Sequence, residues 1–299
     1  MKGVSPARIT ELCEKWCAEY ARPEGMGPIG ESYRLLANGV VFPDLTKESM
    51  SAAIIGLSRV LLHPRMNTVI SRDHFYLWAW FGELLREQLA YSDSEFWTLY
   101  EALLRSALAP ISFAQQYRSG IEPVDLERQC IHLIRFCEKS HVAMAYLGFP
   151  LLEALLKRAC AKYVKNNGRI IKKFEISGPD GPTTYNKGGL CSSVGALLKL
   201  HYKHVAPPDL VSHLDTFRDH IRGIDKSRDP YDLFYKWRNN LLHGTDSYNT
   251  IGGTLLNLAL LISMYELPNG YEKARIHTIK RLDNLAGRPL GPWSFYPPC

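Results

Sequence analysis

The chain has 299 residues, 46% apolar and 22% charged, with a net charge of +6, which is the balance of one or two globular domains and excludes a disordered or fibrous chain. No apolar run reaches the ~18 residues of a membrane span, and no apolar core precedes a cleavage site, so a cytoplasmic protein with no membrane partner is expected. Seven scattered cysteines, an odd number, fit reduced thiols and exclude a disulfide framework.

Helical periodicity runs through the whole chain. Ser5-Pro6 opens a first helix with an apolar stripe of Ile9, Leu12, Cys13, Trp16 and Tyr20, ended by the Pro/Gly stretch from Arg22 to Gly30. Thr46 caps a second, to about Leu62. A third spans about 72–90 and carries Phe75, Tyr76, Trp78, Trp80 and Phe81, a density that reads as core and not as a ligand box. The run Ser92-Asp93-Ser94-Glu95 is a capping box for the fourth, which ends at Ala109-Pro110.

Pro123 starts the next helix, to about Ser140. The composition shifts here, giving two expected regions: 1–122, an N-terminal helical region, and 123–299, a helical bundle. The second region is the basic one, with 22 Lys+Arg against 14 Asp+Glu in residues 136–299, where residues 1–135 have 14 against 16. Pro150 opens a helix from Leu151 to Val164, with Leu151, Leu152, Leu155 and Leu156 inward and Glu153 and Lys157 spaced as an i,i+4 pair.

Lys157, Arg158, Lys162, Lys165, Arg169, Lys172 and Lys173 follow one another with no intervening acid. They read equally as a phosphate-contacting surface and as a solvated helix end. Gly178-Pro179-Asp180-Gly181-Pro182 and Gly188-Gly189 mark a long irregular loop. Ser192 or Ser193 caps a short helix to about Tyr202. Pro207-Pro208-Asp209 starts the next, with Leu210, Leu214, Phe217, Ile221 and Ile224 on one side. The pair His201 and His204 is separated by that Pro-Pro turn from His213 and His220, and zinc needs converging ligands, so no metal or cofactor is predicted.

The most informative helix follows. Asp229 caps it, Pro230 suits its first position and Gly244 suits its end. Leu233, Phe234, Trp237 and Leu241 form a face to be buried. Tyr235, Asn239 and His243 recur on another face, with Arg238 alongside. A Gly/Asn/Ser/Thr loop is expected from Gly244 to Gly253, then a helix from Leu255 to Tyr265 that is apolar on nearly every side and so central or interface-facing. A last helix, Tyr271 to Leu285, precedes a Pro- and aromatic-rich tail that docks on the body or on a partner.

Arg238-Asn239-x-x-x-His243 resembles the signature of the HEPN superfamily, an Arg and a His four to six residues apart with a polar residue after the Arg. An Arg-x4-His pair arises by chance ~0.7 times in this composition, and one with Asn after the Arg ~0.02 times. Arg135 and His141 also fit the spacing, but Phe136 follows that Arg. The resemblance covers the C-terminal half and implies an all-α fold, a HEPN-like bundle of helices. It implies a metal-independent endoribonuclease, a toxin or antiviral defence effector, acting on RNA as a homodimer whose two motifs form one composite site. An antitoxin or regulatory protein is a further implied partner.

In this reading Arg238 stabilises charge on the phosphate, His243 transfers protons, and Asn239 orients one of them. Glu153 is a secondary candidate, being an acid in the helix expected to face the motif. Tyr235 is another, as a base-stacking or interface residue. The alternative is a catalytically silent HEPN-like RNA-binding or protein-assembly module.

Overall fold

The computed structural model describes residues 3–20, 30–63, 70–90, 92–118, 137, 139–178, 181–243, 248–285 and 294–298. Among these lie ten α-helices and one two-stranded antiparallel sheet, so the fold is all-α. The helices are α1 (Pro6–Tyr20), α2 (Lys47–Leu62), α3 (Arg72–Leu89), α4 (Ser94–Arg118) and α5 (Ser140–Ala159), followed by α6 (Val194–His204), α7 (Pro208–Arg222), α8 (Pro230–Leu242), α9 (Tyr248–Glu266) and α10 (Tyr271–Leu285). No single helix among the described residues is long and apolar enough to cross a membrane.

The caps explain most boundaries. Thr46 accepts from the Ser49 N–H, Ser193 from Ala196 and Asp229 from Tyr231. The cap of α4 is Asp93, which accepts from Phe96, one residue after the Ser92 expected from sequence. Two helices run through a proline that was expected to bound them: α4 continues past Pro110 and α5 begins ten residues before Pro150. A proline removes one i→i−4 bond but keeps helical φ, and packing on neighbours compensates.

Helix α9 is the centre. Leu255, Leu256, Leu258, Ala259, Leu260, Leu261 and Ile262 are all fully buried, with α5 on one side and α2 on another. It starts at Tyr248, so the expected loop to Gly253 is partly helix. The glycines serve close packing instead. A Cβ on Gly252 would lie 2.8 Å from the Met144 Cβ, and one on Gly148 2.9 Å from Leu255, so α5 and α9 meet at backbone distance. Around this pair, α4 and α6 flank α5, α1 and α7 cover α2, α10 lies on α3, and α8 packs on α6 and α7.

The irregular loop expected around 178–189 contains a hairpin, β1 (Phe174–Gly178) with β2 (Gly181–Tyr185), in which Phe174 pairs with Tyr185 and their rings stack at 4.8 Å. Phe174 and Ile176 point inward toward α6 while the rest of the hairpin is largely exposed, so only one strand carries a hydrophobic signal.

The expected boundary near 122–123, the helix expected from Pro123 up to residue 136, Arg135 and Gly244 lie outside the described residues. Helices on both sides of that boundary share one hydrophobic core. The described part of the tail, residues 294–298, docks on the body. Phe295 is buried against Gly82, Trp97 and Arg105, and the fully buried Glu83 carboxylate accepts from the backbone N–H groups of Phe295 and Tyr296 and from Arg281.

Candidate functional site

Helix α8 buries Tyr231, Leu233, Phe234, Trp237 and Leu241, which fixes what its other side presents. Tyr235 is 57% exposed, Arg238 and His243 are exposed, and Asn239 is half-buried. His243 is the C-terminal cap residue: its N–H donates to the carbonyls of Asn239 and Asn240, and its imidazole reaches solvent. At 100° per residue Asn239 and His243 lie about 40° apart around the axis, and Arg238 and His243 about 140° apart. One chain therefore presents the guanidinium and the imidazole in different directions.

Arg238 opens into a cleft of about 370 Å³ between α5 and α8. The opposite wall is α5, which contributes Tyr146, Phe149, Pro150, Glu153, Ala154, Lys157 and Arg158 at helical spacing, and Asn166 closes one side. The structure thus brings Glu153, Lys157, Arg158 and Arg238 into one cleft. Asn239, His243 and Tyr235 do not line it.

The charges inside are already sorted. Lys157 Nζ lies 2.7 Å from Glu153 Oε1, and Arg158 bonds Asp93 Oδ2 through Nε and Nη2, at 3.0 and 2.6 Å. Burial raises the pKa of the Asp93 carboxyl while the Arg158 and Phe96 bonds lower it, and the net falls below the usual carboxylate value. Arg238 lines the cleft and makes no hydrogen bond or ion pair among the described residues.

Five cations of the basic run, Lys162, Lys165, Arg169, Lys172 and Lys173, are exposed and outside any ion pair among the described residues. Lys172 lies over the Tyr163 ring. They sit on an ordered turn, pinned by the buried Val164 and Ile170, which pair as a bridge, and by Gly168, whose φ of +82° lets the chain reverse. The same turn reaches the cleft through Asn166, and Lys187 adds a sixth exposed cation.

Sequence reasoning missed Tyr146, Phe149 and Asn166. The first two precede Pro150, where the helix was expected to begin; the i, i+3, i+7, i+11 series of Tyr146, Phe149, Glu153 and Lys157 would have found them. The Tyr146 hydroxyl donates to the Leu241 carbonyl at 2.7 Å, tying α5 to the end of α8.

The four histidines do not converge. His201 is fully buried, His204 Nε2 lies 3.0 Å from the Glu175 carbonyl and His213 rests edge-on to Tyr265. Burial, assisted by Arg59, holds the His220 imidazole down to about 4. No group of three or more His, Cys, Asp or Glu side chains among the described residues is placed to hold a metal. The chain matches no family model, no curated protein and no solved structure.

Proposed function

We propose that the protein is a metal-independent endoribonuclease of HEPN type, cleaving RNA by attack of a ribose 2′-hydroxyl on the adjacent phosphodiester. The observation that carries this reading is Arg238, without an ion pair among the described residues, lining a cleft in which the acid Glu153 is already paired with Lys157. A fixed fork of donors suits the oxygens of a pentavalent phosphorane better than a point charge does. His243, solvated at the helix end, takes the 2′-hydroxyl proton or returns one to the departing 5′ oxygen, and Asn239 holds the imidazole or a phosphate oxygen. The products are a 2′,3′-cyclic phosphate and a 5′-hydroxyl. Exposed cations on the 162–173 turn guide the polyanion toward the cleft. A toxin or defence role, with an antitoxin or regulator to restrain it, follows from an unrestrained RNA cutter in the cytoplasm.

The divergence of Arg238 and His243 on α8 sets a condition on this chemistry. A second copy, docked by a twofold axis over the face that carries the exposed Tyr235 and the half-buried Asn239, supplies the imidazole that one chain directs elsewhere. The same divergence favours a second reading, a silent RNA-binding or assembly module in which the two groups never share a phosphate.

Incubating the purified protein with structured RNA in excess EDTA decides between them. Cleavage leaving cyclic phosphate ends is expected, and it should fall at least 100-fold in both Arg238→Ala and His243→Ala. Cleavage that persists in both variants removes this site. RNA binding with no cleavage by any form establishes the silent module.

A further inference from the structure

We infer that the cleft between α5 and α8 is a pocket for one unstacked nucleobase, whose neighbouring phosphate rests on Arg238. This deepens the ribonuclease reading and rests on the RNA direction given there. The cleft, at about 370 Å³, is within the range of about 300 to 1,000 Å³ typical of small-molecule sites. Its α5 wall supplies two aromatic rings, Tyr146 and Phe149.

Tyr146 is 43% exposed yet held in place, its hydroxyl bonded to the Leu241 carbonyl and its ring stacked on Tyr248 at 6.3 Å and 29°. A ring fixed at two points is a stacking surface that loses little freedom on binding. Polar groups stand around the rings: the Asn166 amide and the Glu153 carboxylate can meet a base edge, and Arg238 can meet a phosphate oxygen. A purely apolar ligand would desolvate the Asn166 amide and the Arg238 guanidinium, and a bare phosphate would leave the Tyr146 ring in water. A base beside a phosphate satisfies both.

The geometry favours a base within a strand over a free nucleotide. The 162–173 turn, with its exposed cations, meets the cleft at Asn166 and offers a path for the chain beyond the bound unit.

The test is calorimetric titration of the full chain with the four nucleoside 5′-monophosphates, ribose 5-phosphate, inorganic phosphate and a short all-2′-deoxy oligonucleotide that cannot be cut. At least one monophosphate should bind roughly tenfold or more tightly than ribose 5-phosphate, since stacking on an aromatic side chain is of that size. The oligonucleotide should bind at least as tightly as the best monophosphate. Tyr146→Leu should remove the preference for base-bearing ligands, Tyr146→Phe should keep it, and Arg238→Ala should weaken nucleotides and inorganic phosphate alike.

Nucleotides binding no better than ribose 5-phosphate would overturn the pocket, as would a base preference unchanged in Tyr146→Leu. Monophosphates that bind while the oligonucleotide does not would overturn the strand assignment. RNA cleavage with base-blind binding removes only the pocket. Base preference in a protein that cuts no RNA removes only the nuclease.

Discussion

Lys157 shows how one side chain can set the character of a cleft. It neutralises Glu153, and with Arg158 held by Asp93 this leaves Arg238 as the group facing an incoming anion. Lys157→Met should release Glu153 to take Arg238 instead. A charge-assisted bond of about 1.5–3 kcal/mol then competes with the phosphate, so RNA affinity or cleavage should fall roughly 10- to 100-fold. Glu153→Gln added to that variant should recover most of the loss; failure of the recovery would show that Lys157 touches RNA itself. His74 makes a second case at this scale. Its Nδ1 accepts from the Ser71 N–H and its Nε2–H donates to the Leu57 carbonyl, and burial holds it down to about 4 from an ordinary 6.5. As pH falls the unfolded chain takes up this proton first. Stability contributed by the neutral ring is therefore complete above pH 6.5 and is lost between 6.5 and 4, by about 2 kcal/mol at pH 5. Comparing denaturant midpoints at pH 7.5 and 5 should show a larger loss for wild type than for His74→Gln.

Elements were legible in the sequence where their signal is local. Asp229 and Pro230 begin α8, the stripe of Leu233, Phe234, Trp237 and Leu241 is buried as the periodicity requires, and Glu153 meets Lys157 one turn on. They were misread where a tertiary contact overrides a local preference. Pro110 and Pro150 lie inside helices, and Gly252-Gly253 reads as loop until α5 is seen to pass within backbone distance of α9. The cleft suffered from the same limit: starting the helix at Pro150 hid Tyr146 and Phe149, and no spacing announces that Asn166 folds back onto it. The helix crossing offers a direct check. Gly252→Ala gains about 1 kcal/mol in helix propensity but places a methyl 2.8 Å from the Met144 Cβ and 2.9 Å from the Ala145 nitrogen. Backbone cannot yield as a flexible side chain can, and overpacking costs about 1–3 kcal/mol, so the variant should unfold at lower denaturant than wild type.

Across the whole molecule, two polar residues in the most apolar helix join what the composition shift divides. Asn257, fully buried in α9, accepts from the Trp78 indole at 2.7 Å and donates to the Ser58 hydroxyl at 3.1 Å, while Ser263 bonds the Tyr100 hydroxyl. All three bonds tie residues before 122 to residues after it. Asn257→Leu leaves the Trp78 donor buried without a partner, and should cost about 1–3 kcal/mol, read as a single lowered unfolding transition. Two transitions, with only one of them shifted, would mean that the shared core unfolds in parts. The Glu83 carboxylate repeats the pattern at the edge of that core, because its donors arrive from α10 and from backbone beyond residue 293. Phe295 is thus an interior residue, with Ser294 and Tyr296 half-buried on either side of it. A cut there would open the body at α3, and the choice of where to attach a label or a fusion partner becomes a question of core chemistry.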